Sequence, residues 1–130
     1  MRFVMFVVAA VLSIAPTMAG DPDVSGRWSG EMRQVDPAEE TRYPMILRLD
    51  GETGASLYPT LNCGGAWTRI GETVQGYAIY KETVVNEPGA HCIDGLAIVY
   101  PDGGQLVLGW FAAFEGTPSL ASAVLAKDAK

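Results

Sequence analysis

The chain reads as an all-β protein, an antiparallel eight-stranded up-and-down barrel with one disulfide. Three observations predict it. Beyond the N-terminus, apolar and polar residues alternate with period two in short windows, and no helical period is sustained. Seven turn signals rich in glycine, proline, asparagine and aspartate divide residues 26–128 into eight segments, at spacings of about 8 to 12 residues. The chain has 2 cysteines, Cys63 and Cys92, which can staple it. Closure suits such a chain because pairing the first strand with the last removes both open edges. A β-sandwich is the alternative arrangement.

Residues 1–19 stand apart from that pattern. Met1-Arg2 is followed by an apolar run from Phe3 to Leu12, and Thr17 and Ala19 are small. The run is shorter than the roughly 20 residues that cross a bilayer, and Pro16 breaks it, which predicts a secretory signal peptide cleaved after Ala19. A retained membrane anchor is the competing reading. Processing would leave 111 of the 130 residues, enough for one domain, and would move the net charge from −6 to −7 because only Arg2 leaves. The expected location is the periplasm or the exterior, with no membrane insertion after processing. Gly20 to Ser25 reads as a flexible leader, and 26–128 as the single barrel domain.

Gly26 to Arg33 alternates, with Trp28, Gly30 and Met32 on one face. Asp36 to Glu40 is a polar connection with room for one helical turn. Tyr43, Met45, Leu47 and Leu49 face inward on the next strand, which ends in the hairpin chemistry of Asp50-Gly51-Glu52-Thr53-Gly54. Ala55 to Tyr58 is a short strand, Thr60 to Gly65 a turn, and Ala66 to Ile70 another strand. Val74 to Val85, rich in β-branched and aromatic residues, is the longest candidate. Asn86 to Ala90 turns the chain into His91 to Tyr100, and Pro101 to Gly104 turns it again. Gln105 to Phe114 and Leu120 to Lys127 complete the set.

The acidic balance argues against nucleic acid and anionic lipid as partners, since both need basic surface. An exported chain meets an oxidising compartment, so Cys63 and Cys92 are expected to pair, with a loop-closure contribution of roughly 3 kcal/mol. Two cysteines and the lone His91 are too few for a structural zinc site, and no cofactor motif or hydrolase signature is present. His91 is expected at the surface or over the disulfide. Gly64-Gly65 reads as turn chemistry.

Glu82 is the one acid inside a strongly apolar segment. Facing inward it needs a donor, and Arg69, Arg48 or a backbone amide could serve; facing outward it is solvated. Tyr58, Trp67, Trp110, Tyr77, Tyr80 and Phe111 supply aromatic area either to fill a small barrel or to line its mouth. Candidate ligand- or partner-binding residues are therefore Tyr58, Trp67, Arg69, Glu82, His91 and Trp110.

Gly26-Arg27-Trp28 resembles the Gly-x-Trp signature of lipocalin-type barrels. That resemblance implies a tryptophan plugging the closed end and a basic residue of the last strand, here Lys127, over its ring. The family's Thr-Asp-Tyr motif is lacking, and the chain is shorter than a typical lipocalin. Gly26-x-Trp28-x-Gly30, Tyr58-Pro59-x-Leu61-x-Cys63-Gly64-Gly65, Glu82 and Cys92-x-Asp94-Gly95 are together similar to a poorly characterised type of small exported bacterial domain, which brings no activity with it. Secreted bacterial metalloprotease inhibitors are similar in size, export, barrel shape and single disulfide, but the leader Asp21 to Ser25 differs from their inhibitory arm. The expected function is a non-catalytic, monomeric binding module, taking a small apolar ligand at the barrel mouth or docking a protein through its loops. An inhibitor of an exported hydrolase is the alternative.

Overall fold

The structure, a computed structural model, describes residues 24–36 and 39–128. The predicted signal peptide and the leader up to Asp23 lie outside the described residues. Eight strands follow in order: β1 Gly26–Asp36, β2 Glu39–Asp50, β3 Thr53–Tyr58, β4 Cys63–Glu72, β5 Ala78–Asn86, β6 Gly95–Asp102, β7 Gln105–Phe114 and β8 Thr117–Lys127. Each pairs antiparallel with the next, and β1 pairs with β8 from Trp28↔Lys127 to Val35↔Leu120, so the barrel is closed. This is the up-and-down arrangement that the turn spacing predicts.

Alternation sets which face each residue takes. In β1 Trp28 and Met32 are buried; in β2 Tyr43, Met45, Leu47 and Leu49 are buried, and Ile46 faces out but is half-covered. β6 is apolar on both parities, and the structure resolves it: Ala97 and Val99 are buried, while Leu96 and Ile98 are exposed. Leu96 is not isolated on the outer wall. It pairs with Phe111, Phe111 with Leu120, and Leu120 with Val35, so four outward apolar side chains stand side by side.

Trp28 plugs one end of the barrel. Its indole donates to the Val24 carbonyl at 3.0 Å, and the Lys127 ammonium lies 5.3 Å from the ring centroid, as the Gly-x-Trp resemblance implies. Asp128 pins the end of β8 beside it through its backbone N–H to the Arg27 carbonyl at 2.8 Å and through the Ser29 hydroxyl, also at 2.8 Å. Above the plug, Leu47, Leu49, Tyr80, Val99, Leu106, Leu108 and Leu125 form a buried core. Burial of each such side chain stabilises by about 1.5 to 3 kcal/mol relative to exposure.

Several strand limits differ from expectation. β1 and β2 run on to Asp36 and Glu39, which pair with each other, so only Pro37 and Ala38, outside the described residues, separate them. β5 begins at Ala78, later than Val74, and β2 with 12 residues is the longest strand. The reason is a turn over 73–77: Gly76 has φ +93°, and the Thr73 hydroxyl accepts from the Tyr77 N–H at 3.1 Å, leaving Val74 in solvent. β4 begins at Cys63, so Cys63-Gly64-Gly65 is strand and not turn. β6 begins at Gly95 because residues 91–94 are held away from the ladder by contacts described below.

Candidate functional site

Glu82 faces inward and is 1% exposed. Its carboxylate accepts four hydrogen bonds from four different side chains. Oε2 takes the Ser56 hydroxyl at 2.5 Å, the Tyr58 hydroxyl at 2.6 Å and the Trp67 indole at 3.1 Å, and Oε1 takes the Trp110 indole at 2.9 Å. A carboxylate offers about four lone-pair sites, so this set satisfies a group that would otherwise cost several kcal/mol to bury. Neither Arg69 nor Arg48, two of the donors that the sequence offers, is among these four. Arg48 is exposed on the outer wall, and Arg69 directs its guanidinium to Glu72 at 3.0 Å. Hydroxyls and indoles do the work instead because their strands bring them to the same level: Trp67 is directly opposite Glu82 in the β4–β5 ladder.

Two glycines make the space. A Cβ at Gly65 would stand 2.7 Å from both Glu82 Cγ and Oε2, and one at Gly95 would stand 2.5 Å from the Trp110 ring. Neither glycine has a positive φ, so what each position needs is the missing side chain and not the backbone freedom. Gly64-Gly65 is thus packing chemistry within β4, which corrects its reading as a turn.

The Glu82 cluster marks the inner limit of an open cavity. Along β1 the inward positions pass from Trp28 and Met32 to the polar Gln34 and Asp36, and at this second end a cavity of about 1210 Å³ opens. Met32, Tyr43, Tyr58, Glu82 and Trp110 line its depth. Aromatic side chains therefore fill only the closed half of the barrel.

Part of the cavity wall is not strand. β5 pairs with β6 only from Ala78↔Val99 to Glu82↔Gly95. Beyond Glu82 the place of β6 is taken by a strap, residues 87–94. The Asn86 side chain holds it by accepting from the Cys92 N–H at 2.9 Å and donating to the Cys92 carbonyl at 3.1 Å. Asp94 accepts the Val84 N–H at 2.8 Å, a bond the missing ladder would otherwise make. The Cys63–Cys92 disulfide ties the strap to the start of β4. Gly89 to Ile93 line the cavity.

A second polar cluster stands at the mouth. Asp36 accepts from the Ser119 hydroxyl and from the Gln34 amide at 3.2 Å, and Gln34 accepts from the Tyr43 hydroxyl at 2.5 Å. Of the six candidate residues, the structure unites Tyr58, Trp67, Glu82 and Trp110, sets His91 exposed on the cavity wall, and leaves Arg69 outside the cavity lining. Ser56, Gln34, Asp36, Tyr43 and Ser119 complete the site and were not among the candidates. Among the described residues no three His, Cys, Asp or Glu side chains converge as metal ligands.

Burial pushes the Tyr43 phenol up to about 12, with the negative charges of Glu82 and then Asp36 adding to the effect. Burial, and next Glu82, pushes the Tyr58 phenol up as well, further than Tyr43. Both phenols therefore bind protons more tightly folded than unfolded, so their contribution is fully present below the ordinary phenol value of 10.0 and is lost as pH rises toward and past 12. Urea midpoints should stay level from neutral pH to about 10 and then fall steeply, with the part of the absorbance change that comes from Tyr43 and Tyr58 delayed until unfolding; a midpoint still flat above about 12 would contradict the buried hydroxyl geometry. Comparison of the chain with known protein families, with curated proteins and with solved structures finds no match.

Proposed function

We propose that this domain is a non-catalytic binding module of the cell envelope or exterior, which holds a small ligand in the open end of its barrel. The observation that carries this is the cavity of about 1210 Å³, open at one end and floored by Tyr58, Glu82 and Trp110. Sites for small organic molecules usually measure about 300 to 1,000 Å³ and combine apolar walls with a few placed polar groups. Glu82 supports a structural role over a catalytic one, because its carboxylate is already engaged by four side chains from three other strands. The Cys63–Cys92 disulfide suits an oxidising compartment. Gly89 to Ile93 turn toward the cavity, which favours ligand enclosure over the inhibitor alternative with its protruding loop.

The neutral dye N-phenyl-1-naphthylamine tests this. Titrated into the exported protein, it should show saturable fluorescence enhancement at one dye per chain, with quenching of tryptophan emission through Trp110. Ala90→Trp, which places a bulky ring at the cavity wall, should weaken binding at least about ten-fold while the thermal midpoint holds. Enhancement that never saturates, or that Ala90→Trp leaves unchanged, would rule the cavity out as the site.

A further inference from the structure

We propose that the ligand is an amphiphilic cation whose ammonium or guanidinium end seats on Asp36 while its apolar body lies against the opposite wall. This rests on the reading of the cavity as a binding site and adds the chemistry of what fills it.

The cavity holds an apolar patch across from Asp36. The strands follow one another around the barrel in chain order, so β8, β1 and β2 stand across from β4, β5 and β6. The first side contributes Gln34, Asp36, Thr41, Thr117 and Ser119. The second contributes the apolar Leu61, Val84, Ala90 and Ile93, from β5, the strap and the turn before β4, among the polar Thr60, Asn62, Asn86 and His91. A molecule spanning the cavity can rest its apolar body on Leu61, Val84, Ala90 and Ile93 while its polar end reaches Asp36.

Charge decides which polar end fits. Asp36, Glu82 and Glu115 line the cavity, and among the described residues the exposed His91 is the only basic residue on its wall, with no lysine or arginine there. An anionic head would lose its hydration and find no cation in return, whereas an ammonium exchanges water for a carboxylate. The three acids are not equivalent. Glu82 has its four donors, and Glu115 is exposed in the β7–β8 turn.

Asp36 has a built position with an oxygen to spare. Its Oδ1 takes Ser119 and Gln34, and Gln34 is itself held by Tyr43, which fixes the carboxylate. Oδ2 has only a long contact of 3.4 Å from the Gln34 amide, which leaves it free to accept from a ligand N–H.

Decylammonium, decanol and decanoate share one chain and differ in head charge, so competition against bound N-phenyl-1-naphthylamine below their micelle concentrations reads head selectivity. Decylammonium should bind at least about ten-fold more tightly than decanoate, with decanol between, and the ratio should shrink with added salt. Asp36→Asn retains an acceptor for Ser119 and should bring decylammonium and decanoate within about two-fold of each other. Glu31→Gln, which removes one charge from the outward face of β1, should leave the ratio intact. Decanoate binding as well as decylammonium, or a ratio that survives Asp36→Asn, or a ratio lost equally in Glu31→Gln, would overturn the proposal. Failure of the dye itself to bind strikes the binding-site reading, whereas binding of all three without preference leaves that reading standing and removes this one.

Discussion

Glu82→Leu should unfold the domain or leave it marginal, with Glu82→Gln falling between it and the parent chain. The leucine leaves Ser56, Tyr58, Trp67 and Trp110 without the acceptor they share. Four orphaned buried donors cost roughly 4 kcal/mol even at the low end of the usual range, against a total stability of about 5 to 15 kcal/mol. Replacing a buried ionic group by a hydrocarbon can stabilise, but only when its partners are replaced too. Glutamine keeps one acceptor oxygen and faces an indole N–H with its amide, so it rescues part. Coupling gives the sharper test: Tyr58→Phe should cost about 1 kcal/mol in the parent chain and less than that when added to Glu82→Leu. Urea unfolding of the four variants measures this. A Glu82→Leu protein within about 1 kcal/mol of the parent would mean that the cluster is not what holds β3, β4, β5 and β7 together.

Removing the disulfide by Cys63→Ser with Cys92→Ser should cost about 3 to 4 kcal/mol by the loop-closure estimate for a separation of 29 residues. Loss should be uneven across the molecule. The strap joins the barrel through the disulfide, the two Asn86–Cys92 bonds, the Asp94–Val84 bond and the Glu87 N–H to the Asn62 carbonyl, while β1, β2, β7 and β8 hold one another through long ladders. Amide exchange should therefore quicken first over residues 87–94 and leave the β7–β8 pairing protected. Equal acceleration throughout the barrel, or no change over the strap, would contradict this division.

Much of the barrel was legible because its closed half is apolar. There the alternation of Tyr43, Met45, Leu47 and Leu49 gives the inward face directly, and Gly103-Gly104 marks its hairpin with φ values of +62° and +89°. At the open half the same period continues in polar residues, and the signal disappears. Two further steps along Trp28, Gly30, Met32 reach Gln34 and Asp36, yet their polarity reads as a connection. Ser56 shares parity with Tyr58 and could have been found from it. Glu82 could not be oriented because Ile79, Tyr80, Val84 and Val85 are apolar on both parities. The strap hid itself differently: Ile93 and Cys92 look like strand residues, and only tertiary ties to Cys63 and Asn86 keep them out of the sheet.

The strap's backbone belongs to no ladder, and that separates two demands usually made of the same residues. Within a strand, an exchanged or inserted residue shifts every partner along the register, so wall composition is locked to barrel integrity. Between Pro88 and His91 the chain can lengthen, shorten or change character while Asn86, Glu87, Cys92 and Asp94 keep their anchors. Pocket shape on that side is thereby open to variation at little risk to folding, and grafted sequences placed there would be the natural route to a barrel of altered taste.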